Sequence, residues 1–141
     1  MAETKYGKYV VKEPYRKAKS EEVIEPQVYI EGAKSGGGAN LTLARSWITQ
    51  PFTMIKEAHK HDYDQFLFFM GGNPQDVKDF GAEVELSLGE EGEKQIINSP
   101  SVVHIPKGLL HGPLKFKRVD RPIEFLDVFL APTYIRKAKD E

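Results

Sequence analysis

Turn signals cut this chain into pieces of strand length, and no stretch carries the sustained 3.6-residue apolar period of an amphipathic helix. Gln50-Pro51, Gly71-Gly72-Asn73-Pro74, Gly89-Glu90-Glu91-Gly92, Pro106, Arg121-Pro122 and Ala131-Pro132 are the breaks. Proline fixes φ and has no N–H for a ladder, while glycine opens turn conformations closed to other residues. Between the breaks lie Leu41–Thr49, Phe52–Ala58, Phe66–Met70, Ala82–Leu88, Glu93–Asn98, Val102–Ile105, Leu114–Val119 and Ile123–Leu130, with a shorter piece at Val28–Ile30. About eight short strands with turn chemistry between them predict an all-β sandwich or barrel. Phe66–Met70 is apolar at every position, which predicts burial on both faces. Ala82–Leu88 alternates and pairs with the returning Glu93–Asn98 as a hairpin, its polar-face Glu83 and Glu85 reading as solvated.

A length of 141 residues fits one domain. Residues 1–39 read as an N-terminal arm and linker that pairs with the barrel or with a partner subunit, 40–132 as the barrel, and 133–141 as a charged tail. Gly36-Gly37-Gly38 reads as a plain loop, because no Lys-Ser/Thr pair follows to cradle a phosphate. Twenty basic against 21 acidic residues leave a net charge of −1, which argues against nucleic acid or an anionic membrane as partner. The absence of cysteine excludes a disulfide framework, a cysteine nucleophile and thiolate-bound zinc. No apolar run approaches a membrane span and the N-terminus lacks an apolar leader, so a cytoplasmic protein is expected.

Three of the four histidines sit in two short stretches, His59-Lys60-His61-Asp62-Tyr63-Asp64-Gln65 and Pro106-Lys107-Gly108-Leu109-Leu110-His111. Side chains two apart on a strand share a face, so His59 and His61 enter one space, and Gln65 keeps that parity. With His111 arriving from a distant strand, two imidazoles, a third and an amide oxygen form a donor set suited to a divalent transition metal. Gln65 can instead hydrogen-bond an imidazole and orient it. His104 could face the cavity as a general acid or base, or be a strand histidine satisfied by a neighbour. Tyr63 shares the parity of His61 and could donate a proton or hydrogen bond into the site, or sit at its rim.

The two stretches resemble the paired motifs of the cupin superfamily. The first, HxH followed by a Glu and then a Gly, is met by His59, His61, Gln65 and Gly72. The second, PxGxxH, is met by Pro106, Gly108 and His111. The sequence departs from the pattern at Thr53 and Pro100, where glycines are usual, at Lys115, where an Asn is usual, and at Gln65, where the usual residue is Glu. The resemblance covers roughly residues 40–130. It implies a double-stranded β-helix, or jelly-roll barrel, with His59, His61, Gln65 and His111 at the metal-ligand positions. It also implies Fe2+ or Mn2+ first as the metal, then Zn2+, Ni2+ or Cu2+, and a homodimer. A metal-dependent enzyme of dioxygenase, lyase or isomerase type on a small oxygenated organic molecule is the function expected from it. The other reading is a non-catalytic barrel that holds a metal or small ligand.

Overall fold

A computed structural model describes residues 4–140, so positions 1–3 of the expected arm and 141 of the expected tail lie outside the described residues. In chain order the strands are β1 (Tyr15–Arg16), β2 (Gln27–Glu31), β3 (Thr42–Ile48), β4 (Phe52–Ile55), β5 (His59–Lys60) and β6 (Gln65–Gly71). They continue as β7 (Ala82–Leu88), β8 (Glu93–Ile97), β9 (Ser101–Ile105), β10 (His111–Val119), β11 (Ile123–Phe129) and β12 (Lys137–Ala138). Helix is confined to a turn at Gly7–Tyr9 and the four-residue α1 (Gly32–Ser35). No helix among the described residues is long and apolar enough to cross a membrane.

The strands form two antiparallel sheets. One runs β1-β2-β3-β11-β6-β9, and the other runs β12-β5-β10-β7-β8 with β4 also on β10. The expected strand at 52–58 is therefore two pieces, both laid on β10, with a break at 56–58 before the first histidine. The expected hairpin forms in register, Leu88 opposite Glu93 and Val84 opposite Ile97. Glu83 and Glu85 lie near Arg118 and Lys115 at 3.9 and 4.0 Å as loose ion pairs, Glu83 on the partly exposed face expected of it and Glu85 largely covered.

Period-2 alternation sends one set of side chains from each sheet inward. Leu67 and Phe69 from β6, Ile123 and Phe125 from β11, Val84 and Leu86 from β7, and Leu114 and Phe116 from β10 make the centre of the core. Phe69, Phe116 and Phe125 interlock with ring centroids 5.1–6.3 Å apart. On the other face of β6, Phe66 and Phe68 are half-buried rather than enclosed, so the continuous apolar run is fully covered on one side only.

The ends of the chain are built into the sheets. β2 pairs with β3 through Val28↔Arg45 to Glu31↔Thr42, β1 pairs with β2, and Val23 enters the core. At the other end β12 pairs with β5, directly beside His59. Phe69 is fully enclosed, so Phe69→Ala is expected to cost about 3–5 kcal/mol through lost transfer energy and the cavity left behind. Urea unfolding of the variant against the parent measures it, and a loss under 1 kcal/mol would show the core is not organised around this ring.

Candidate metal centre

His59 opens β5 after the break at 56–58, and His111 begins β10. The two residues are direct partners in the β5–β10 ladder. His61 follows two residues after His59, where the chain is about to leave the sheet. The three rings converge with centroids 4.5 Å (His59–His111), 4.9 Å (His59–His61) and 5.2 Å (His61–His111) apart. One ring nitrogen from each lies within 4.8 Å of the others, close enough to share one metal ion. All three residues are buried.

Backbone geometry locks the two motifs together. Gly108 adopts φ +83°, a left-handed conformation that glycine reaches without strain. Its N–H donates to the His61 carbonyl at 2.8 Å. The Asp64 carboxylate accepts from the Lys107 N–H at 3.1 Å, fastening the same turn from the other side. The turn that brings in His111 is thus hydrogen-bonded to the turn that carries His61.

Backbone carbonyls also set the tautomers. His61 Nδ1 donates to the Ile135 carbonyl at 2.7 Å, and His111 Nδ1 donates to the Leu109 carbonyl at 3.0 Å. A ring that donates through Nδ1 in its neutral form presents a lone pair at Nε2. In His61 and His111 that Nε2 has no hydrogen-bond partner among the described residues, and neither has Nδ1 of His59 or Oε1 of Gln65. Burial holds His59 down to about pKa 3, helped by His111 and His61 beside it, and holds His111 down to about 4. His61 is lowered for the same reason, against the opposing Ile135 carbonyl. The rings are therefore neutral at neutral pH, the form that binds metals.

Gln65 does not lie on one strand with His59 and His61, as its parity with them suggests. The chain turns at residues 62–64, and Gln65 opens β6 in the facing sheet. Its Nε2 donates to Asp127 Oδ1 at 2.6 Å, which commits the NH2 group and leaves the amide oxygen as the free atom. Asp127 lies on β11 opposite Leu67 and Ala44. Burial pushes its carboxyl up to about pKa 7, with the Gln65 hydrogen bond and the Arg16 charge opposing. Asp127 is not among the site residues that the sequence singles out, because Ile123–Leu130 is a strongly apolar strand. Alternation with Ile123, Phe125 and Phe129, all buried, was the signal that put Asp127 on the inner face.

Tyr63 stacks on the His61 ring at 4.9 Å and 18°. Its hydroxyl donates to the Ile135 carbonyl at 2.8 Å and accepts from the Ile135 N–H at 3.1 Å, and burial pushes it up to about pKa 12. Both functions of that hydroxyl are engaged by backbone. His104 does not join the cluster. It pairs with Phe66 across β9 and β6, stacks on that ring at 4.8 Å, and meets Asp64 Oδ2 at 2.8 Å on an exposed surface. Of the two facings open to it, β9 takes the outward one, because the buried Ile105 next to it claims the inner face.

A cavity of about 200 Å³ lies near the cluster, lined by none of the three histidines and not by Gln65. Asp127, Phe129 and Tyr134 all line it, while Phe129 and Tyr134 pack edge-on against His61 at 5.9 and 5.3 Å. The segment after Pro132 is therefore part of the site: Tyr134 supplies wall and Ile135 holds His61 and Tyr63.

The depressed imidazole values fix a pH dependence for the metal-free protein. The unfolded chain takes up protons on these rings near pH 6.5, and the folded chain refuses them until about pH 3–4. The unfolded state binds more protons across that interval, so this stability is complete above pH 6.5 and is lost as pH falls toward 4. Asp127 acts in the opposite sense, holding below about pH 7 a proton that the unfolded chain releases, and offsets part of the loss. The expected net loss from pH 7 to 4.5 is on the order of 3 kcal/mol, read from urea midpoints. A flat profile would show that the rings are not buried in neutral form.

No protein-family model matches the sequence, and no curated protein matches it. Solved structures match it by shape. Oxalate decarboxylase of Bacillus subtilis, a protein with Mn(II) centres, superposes with a TM-score of 0.55 at 13% identity over 86% of this chain. Oxalate oxidase gives 0.56 at 14% identity over 88%, and the Lactobacillus farciminis oxalate decarboxylase, in a formate complex, gives 0.57 at 16% over 87%. This chain spans 29%, 58% and 33% of those three chains respectively. Two antiparallel sheets closed face to face, histidine motifs on opposed strands and these shape matches together make the fold that of the cupins, a β-sandwich jelly roll.

Proposed function

We propose that this protein is a metal-dependent cupin enzyme acting on a small oxygenated organic molecule, with a divalent transition metal held by His59, His61, His111 and the amide oxygen of Gln65. One observation carries the reading. Among the described residues, the buried side-chain polar atoms without a hydrogen-bond partner are one atom from each of these four side chains. A buried polar atom left unpaired costs about 1–3 kcal/mol, and a shared metal would satisfy all four at once.

The donor set is neutral, so it would leave the full charge of the ion to act on a bound ligand. A metal bound there would supply Lewis-acid polarisation of a chelating oxygen or, with iron or manganese, access to dioxygen chemistry. Imidazoles suit Zn2+, Cu2+, Fe2+ and Ni2+, and the oxygen donor admits Mn2+; the cupin resemblance puts Fe2+ or Mn2+ first, and the Mn(II) centres of the B. subtilis oxalate decarboxylase support manganese.

Asp127 supports an enzyme over a passive barrel. Its Oδ1 accepts from Gln65, which leaves Oδ2 as the atom on which a proton is held or released beside the cavity. A carboxyl near pKa 7 suits general acid–base work at neutral pH. This reading moves the acid–base role from His104 and Tyr63 to Asp127 and leaves Tyr63 to position His61. A non-catalytic barrel is the second reading, favoured by the neutral Gln65 in place of a carboxylate ligand. A homodimer is part of the proposal, supported by the half-buried Phe66, Phe68, Leu126 and Val128 on the outer face of one sheet.

Plasma mass spectrometry on protein purified without a nickel column is expected to find about one metal per chain. His61→Ala and His111→Ala are each expected to weaken metal binding at least about a hundredfold, and full occupancy in both would overturn the site. Gln65→Glu is expected to tighten binding, whereas no change would assign Gln65 to orienting a ring. Sedimentation velocity is expected to report a dimer, and a monomer at high concentration would remove that part of the proposal.

A further inference from the structure

The cavity beside the histidines carries a charge pattern that the metal reading does not use. Its lining includes Arg16, Lys19 and Arg136 against one carboxylate, Asp127, and the Asp127 Oδ1 is already taken by Gln65. Among the described residues none of these three cations has an acidic partner within 4 Å. Arg16 is held instead by neutral groups. Its Nε and Nη2 donate to Gln27 Oε1 at 3.1 and 3.0 Å, and its guanidinium lies 3.8 Å over the Tyr29 ring. Gln27 is itself fixed by donating from Nε2 to Ser46 Oγ at 2.6 Å. The arginine is thus oriented by neutral groups, with Asp127 the one carboxyl of the lining that its charge is seen to act on, and donors remain on its fork. Lys19 lies 6.0 Å over Tyr134, and Arg136 hydrogen-bonds the same tyrosine. The charge of Arg136 is felt at both His59 and His61, where it favours the neutral rings. The apolar part of the lining includes Val23, Met54, Ile55, Phe125 and Phe129, with Ser20 and Ser46 as polar neighbours.

We propose that this cavity binds a small monocarboxylate with a short apolar body, its carboxylate clamped by Arg16 and Arg136 and its body against Phe125, Phe129 and Met54. The assignment rests on the reading of this space as the substrate chamber and adds to it the charge and shape of the ligand. The two clamp residues come from opposite ends of the chain, Arg16 from β1 and Arg136 from the segment before β12. Guanidinium groups match a carboxylate by paired N–H donors, and a partly apolar surround strengthens that attraction over its value in water. A cavity of about 200 Å³ holds the equivalent of roughly seven waters, which suits a ligand of about six to ten non-hydrogen atoms. The apolar lining sets this ligand apart from an all-polar dianion such as oxalate, which would leave that surface against charge.

The test is isothermal calorimetry on the full-length protein, as purified and again after a chelator has removed bound metal. The probes are 4-methylpentanoate, its neutral isostere 4-methylpentanamide, and oxalate. The acid is expected to bind at one site and at least tenfold tighter than the amide, with or without metal, and tighter than oxalate in the metal-free protein. Arg136→Gln and Arg16→Gln are each expected to weaken the acid at least fivefold and to leave the amide unchanged. Melting temperatures check folding. Should Arg16→Gln unfold for want of its Gln27 and Tyr29 contacts, the exposed Arg136 and the acid–amide ratio of the parent decide the matter. Equal affinity for acid and amide, no binding by the acid, or an acid preference indifferent to both arginines would overturn the clamp. Tighter oxalate binding in the metal-free protein would overturn the apolar-body assignment. Failure of these arms leaves the histidine variants and their metal affinities untouched, and loss of the metal reading leaves the metal-free titrations to stand by themselves.

Discussion

Three imidazoles are buried against one another with their lone pairs turned inward, and much of the architecture around them answers the cost of that arrangement. Unpaired polar atoms and desolvated rings are both destabilising. The protein offsets them by giving the opposite side of His61 and of His111 a backbone acceptor and by closing the core of Phe69, Phe116 and Phe125 alongside. The jelly roll suits the task because it brings β5 and β10, distant in sequence, into one ladder where His59 and His111 face each other.

The two sheets divide the work. The sheet of β5 and β10 holds His59 and His111, and the sheet of β3, β11 and β6 carries Gln65 and Asp127. The Gln65–Asp127 hydrogen bond lies between adjacent strands of that second sheet, so the orientation of one amide depends on strand register. The chain ends complete the enclosure. β1 and β2 widen the second sheet and carry Arg16, while the segment leading into β12 covers His61.

Much of this was legible in the sequence, for identifiable reasons. Turn residues mark strand ends locally, so the hairpin of β7 and β8 and the limits of β3 and β11 came within a residue or two. The histidines stood out because few residue types bind metals and their spacing was unusual. What escaped depends on contacts between residues far apart in sequence. His104 could face either way until β9 took its register from β6. Asp127 looks like one polar break in an apolar strand until the ladder brings the Gln65 amide within hydrogen-bond reach from the neighbouring strand. Residues 133–141 were read as a tail because their charge hides the value of a carbonyl, and a carbonyl has no signature in the one-letter code.

That last point bears on how the protein tolerates substitution. The acceptors that orient His61 and His111 are main-chain oxygens at positions 135 and 109, and every amino acid has one. The side chains at those positions can be exchanged without deleting the hydrogen bond, provided the backbone path holds. The site is thereby insulated from point mutation in its surroundings, and its vulnerability shifts from residue identity to chain length: an insertion or deletion between β11 and β12 would displace the Ile135 carbonyl when no single replacement there could remove it.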